Sequence, residues 1–131
     1  MRDHDHMTLQ SILEARGRFG HREHLELAWN YLQSYEAEEA NRTMACAIRH
    51  LATRHGDPRK YHETITRFWM QLVALHRAKS GAQSFDQFIA ENQELLDSHL
   101  LARHYSQEQI GSSHARIRWT EPDLRELPRV I

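Results

Sequence analysis

One cysteine, three prolines and five glycines are all that this chain of 131 residues holds of the types that staple or break a fold. Cys46, alone, leaves no intramolecular disulfide and no redox pair, which suits a reducing compartment. Charge of one sign is missing as well. The 17 Lys and Arg face 18 Asp and Glu, a formal charge of -1, so no long-range field draws a polyanion or an anionic membrane. Neither nucleic acid nor a membrane is an expected partner. No segment approaches roughly 18 uninterrupted apolar residues, and MRDHDHMTLQ has no apolar signal core, so a soluble, cytoplasmic protein is expected.

Several chemical signatures are absent too. No glycine-rich phosphate loop and no G-x-S-x-G elbow occurs, which removes the usual signals of nucleotide and serine-hydrolase chemistry. In HETIT, Thr66 stands where a zincin helix would carry its second histidine, and HREH has neither that spacing nor that Glu placement. The only His-Asp dipeptide, His4-Asp5, sits in the first few residues and gives a His-Asp phosphohydrolase site no support.

What the chain does hold is apolar residues recurring at three and four, the period of a helix rather than of a strand. The expected fold class is all-α: one domain, a compact antiparallel four-helix bundle over residues 19–105 with a short lead helix before it and an irregular strap, 106–131, after it. The first main helix should run from His21 to Ser34 with Leu25, Ala28, Trp29 and Leu32 inward. The second should run from Ala37 to Arg54, its Ala40, Met44, Ala47, Ile48 and Leu51 making a small-residue face for close approach.

Gly56 then ends a helix, and Asp57-Pro58 reads as an N-cap with a first-turn proline, starting a third helix that reaches Lys79 with Tyr61, Ile65, Phe68, Trp69, Leu72 and Leu75 buried. Ser84, with Gln87 three residues on, opens a fourth that breaks near Asn92 and carries Phe85, Phe88, Ile89, Leu95, Leu96 and Leu100. Thr8 to Arg16 forms the lead helix. Trp119 and Leu124 of the strap should cover the bundle.

Histidine is the unusual abundance, 11 residues against two lysines and 15 arginines. Folding the first three helices back on one another brings His21 near the level of Ile48 and His62 near that of Leu51, only about 5 Å apart along the bundle at 1.5 Å per residue. His21, His24 and His62 can all face inward there. A pair at i and i+3 joined by a third histidine from another helix would hold Zn, Fe or Cu and leave a position open for water or a small-molecule substrate. In that reading Glu63 or His104 carries the proton.

Each residue also has a plainer role. His21 and His24 could be helix-start polar groups, one bonded to a tail carbonyl, and His62 a first-turn histidine bonded to nearby backbone. His104, near a helix C-terminus, could be a cap, and Glu63 could pair with Arg67 at i+4. Cys46 reads as a small packed side chain.

The stretches F-G-H-R-E-H-L-x-x-A-W-x-Y-L, K-Y-H-E-T-I-T-x-F-W and L-L-x-x-H-Y-S followed by W-x-E-P-D-L-x-x-L-P resemble a family of small uncharacterised bacterial all-α proteins, over about residues 19 to 128. The resemblance implies a shared helical fold and a bacterial source, and it brings no activity with it. It places Phe19, His21, His24, Trp29, Tyr61, His62, Thr64 and His104 inside the motifs and leaves His4, His6, His76 and His114 outside. The expected function is thus a metal-dependent enzyme acting on a small molecule at a histidine-lined pocket. The competing expectation is a non-catalytic helical interaction module, a homodimer included, whose histidines are structural.

Overall fold

The computed structural model describes residues 3–17 and 19–128, with side chains from residue 8 onward. The side chains of His4, Asp5 and His6 and the last three residues of the expected strap lie outside the described residues. The helices are α1 (Asp3–Arg16), α2 (His21–Ser34), α3 (Ala37–Arg54), α4 (Glu63–Lys79), α5 (Phe85–Glu91), α6 (Gln107–Ile110) and α7 (Ser113–Ile117). Short 3-10 segments cover Pro58–Lys60, Gln93–Leu96 and Ser98–Arg103. Among the described residues there is no strand, and no helix is long and apolar enough to cross a membrane.

Helices α2, α3 and α4 pack on one another, and α1 lies against both α2 and α3. The core is the sequence stripes joined: Leu25, Ala28 and Trp29 from α2, Ala40, Met44 and Ala47 from α3, and Phe68, Trp69 and Leu72 from α4 are all buried. Phe88 stacks on Trp29 with ring centroids 4.6 Å apart, which docks α5 on the same core.

The stop of α3 is set by glycine. Gly56 sits at φ 87°, its N–H donates to the Thr53 carbonyl, and Asp57 N–H reaches the Ala52 carbonyl, the paired bonds of a Schellman stop. Glycine supplies the left-handed residue without a Cβ penalty.

Three details depart from the sequence expectation. Asp57-Pro58 does cap a turn, since Asp57 Oδ1 accepts from Arg59 N–H, but that turn is 3-10 and Tyr61 and His62 are extended, so α4 begins only at Glu63. The fourth helix stops at Glu91, and the chain continues as three-residue turns. That change of period leaves Leu96 40 % exposed instead of buried. In the strap Trp119 packs on the core but Leu124 points out, and Leu127 takes its place.

Candidate functional site

The bundle end reached by the starts of α2 and α4 is where the expected residues lie, and His21 and His62 there are bonded to different backbone carbonyls. His62 is the N-cap of α4. Its Nδ1 accepts from Ile65 N–H at 3.1 Å, so its Nε2–H donates, to the Ile110 carbonyl at 2.7 Å. Both ring nitrogens are used. Burial lowers its pKa, partly offset by the Ile110 bond.

His21 turns the other way. Its Nε2 lies 2.8 Å from the Leu95 carbonyl, and its ring meets the edge of Trp69 at 4.4 Å between centroids. Trp69 is two turns of α4 beyond His62, about 10 Å along the axis. His24 sits beside Phe19, with 6.4 Å between ring centroids, and its buried Nε2 has no hydrogen-bond partner among the described residues. Burial, then the neighbouring His21, pushes its pKa down to about 4. The structure therefore brings His21 and His24 together and holds His62 apart from them. No group of three or more His, Cys, Asp or Glu side chains that could hold a metal ion is found among the described residues.

The two expected proton carriers are separated as well. Glu63 accepts from the Tyr61 hydroxyl at 2.6 Å, and its ion-pair partner is Arg49 on α3, at 3.7 Å. His104 is buried against Phe68 and its Nδ1 lies 2.8 Å from the Arg125 carbonyl. That bond, with Leu124 N–H on the His104 carbonyl, ties the strap to the bundle. Thr64 does the same from inside: its hydroxyl is shared between the Ala115 and Arg118 carbonyls at 2.6 and 2.8 Å and accepts from Thr120 N–H at 3.1 Å.

A cleft of about 760 Å³ opens between α1, α3 and the Pro58–Lys60 turn. Leu9, Leu13, Phe19, Ile48, Leu51 and Tyr61 form its apolar interior, all buried or half-buried. Gln10 and His50, half-buried, and Arg54, His55 and Lys60, exposed, add polar groups to the lining. Phe19 and Tyr61 flank His21 and His62 in sequence, and Ile48 and Leu51 are the residues expected at their level. The imidazoles of His21 and His62 turn away from the cleft, to the Leu95 and Ile110 carbonyls. Tyr61 gives the cleft a ring and no hydroxyl, because its O–H is spent on Glu63 and one ring face is covered by Arg49 at 4.6 Å.

His50, Arg54, His55 and Lys60 had no place in the sequence expectation as site residues. A signal did exist. Between residues 49 and 60 stand Arg49, His50, Arg54, His55, Arg59 and Lys60 against the single acid Asp57, in a chain otherwise balanced in charge.

Comparison with protein-family models, with curated proteins and with solved structures gives no match.

Proposed function

We propose that this chain is a helical small-molecule-binding protein and that its site is the cleft between α1, α3 and the Pro58–Lys60 turn. The carrying observation is the cleft itself, about 760 Å³ with a mainly apolar lining, within the size range of ligand sites in proteins. The reading keeps a histidine-bordered pocket for a small molecule but moves it to His50 and His55. Large apolar side chains on the outside are few and scattered, Leu96, Ile117 and Leu124 among the described residues, which favours a pocket over an extended protein interface.

The test is a titration with decanol and naphthol, followed by methyl NMR. Saturable shifts are expected at Leu9, Leu13, Ile48 and Leu51. Ala52→Phe, which places a ring in the cleft while leaving the core stripes intact, should abolish them. Absence of saturable shifts in the wild-type protein would overturn the reading.

A divalent metal on the helix α2 histidines is a second reading, and one observation favours it: the unpartnered, buried Nε2 of His24 beside His21. His62 could join only by releasing the Ile110 carbonyl or the first turn of α4. Elemental analysis of protein purified without a tag, beside the His21/His24/His62 triple alanine variant, decides it. Near-stoichiometric Zn, Fe or Cu lost in a folded variant would support a metal-dependent enzyme.

A further inference from the structure

The cleft's described border is one-sided in charge. Among its described lining residues there is no Asp or Glu, although acids outnumber Lys and Arg along the chain. Arg54 and Lys60 stand at the mouth, exposed, and neither has an ion-pair partner among the described residues. The nearby acid, Asp57, is already engaged by the backbone and guanidinium of Arg59.

Resting on the cleft as the binding site, we infer that its ligand is an acid-terminated amphiphile: a free carboxylate on an aliphatic body, with the chain among Leu13, Ile48, Leu51 and Tyr61 and the carboxylate between Arg54 and Lys60. An apolar body alone would leave those two cations without a counter-charge and gain nothing from them. A cationic head would meet two like charges, with no acid among the described lining residues to offset them. Because the cations are at a wet mouth, the carboxylate contributes modestly, and most of the affinity comes from covering the apolar interior.

Calorimetric titration of the full chain with decanoate, decanol and decylammonium, at low ionic strength, tests the inference. Decanoate should bind about five- to tenfold tighter than decanol, and decylammonium weaker than both. The Arg54→Gln/Lys60→Gln double variant should bring decanoate down to the level of decanol and leave decanol unchanged. Lys79→Gln, at the far end of α4, should change neither. Equal binding of decanoate and decanol to the wild-type protein, or a double variant that keeps the preference, would overturn the carboxylate assignment while leaving the cleft as a site. Binding of none of the three would overturn the site itself.

Discussion

The Nε2 of His62 lies 2.7 Å from the carbonyl oxygen of Ile110, 48 positions along the chain. One imidazole thereby closes the first turn of α4 on one side and anchors α6 on the other. Tyr105 repeats the pattern, its hydroxyl donating to the Thr120 carbonyl, as do His104 with Arg125 and Thr64 with the 115–120 segment. His62 and Thr64 in K-Y-H-E-T, and His104 and Tyr105 in H-Y-S, are fasteners of the C-terminal strap. They satisfy carbonyls that an irregular segment cannot pair within itself.

Replacing His62 by Ala should remove both the helix cap and the donor to Ile110, at a cost of about 2 kcal/mol. Asn keeps a capping oxygen but is too short to reach the strap, so His62→Asn should recover about half of that loss. Urea unfolding midpoints of the three proteins check the order wild type, Asn, Ala. An alanine variant as stable as wild type would mean that neither bond matters.

Thr64 is fully buried and its hydroxyl serves three backbone groups. Thr64→Val keeps the volume and strands those groups, so destabilisation of about 2–3 kcal/mol is expected. The loss should be local. In hydrogen exchange, the Thr120 amide should lose protection first, while amides in the middle of α2 and α3 keep theirs.

Gly56 carries the turn between Arg54 and Lys60, both of which line the cleft. A Cβ there would meet no neighbour within 4 Å, so the cost of Gly56→Ala is conformational alone, from the φ of 87°. It should lower stability by about 1 kcal/mol, measured by thermal unfolding.

The helix limits His21–Ser34 and Ala37–Arg54 were legible because their punctuation is local: an apolar period of 3.6 and, for the second, a glycine stop. The start of α4 was not. Asp57-Pro58 is a sound cap signal, but a histidine can cap through Nδ1 as well, and nothing in the letters says that Tyr61 and His62 stay extended between the two. The site divides along the same line. Which end of the bundle gathers the starts of α2 and α4 follows from helix rise and short connections. Which way His21 and His62 turn depends on carbonyls 74 and 48 residues downstream, those of Leu95 and Ile110, while His24 Nε2 finds no such partner among the described residues. The cleft escaped because its polar border, Arg54 to Lys60, falls in a helix end and a turn, where charge reads as ordinary solvation.

His24 makes acid sensitivity a test of how the α2 histidines are held. Its pKa, about 4 in the folded protein, stands well below the ordinary histidine value of about 6.5. Above 6.5 both folded and unfolded chains keep it neutral, and it contributes no slope. Between about 6.5 and 4 the unfolded chain binds a proton that the folded chain refuses, so stability falls as pH drops through that window, by as much as about 3 kcal/mol. His62, also lowered by burial, acts in the same direction. Urea unfolding at pH 7, 5.5 and 4.5 should show the decline, and His24→Phe should flatten most of it. The variant should also be slightly more stable at pH 7, because it removes a buried nitrogen with no partner among the described residues. Zinc added to the same pair at pH 7 separates the two readings of that nitrogen. If His24 is a ligand, zinc raises the wild-type midpoint and leaves the variant where it was, since only the wild-type folded state gains binding energy. If the nitrogen is an orphan of close packing against Phe19, neither midpoint moves, and the acid slope is the whole of its effect.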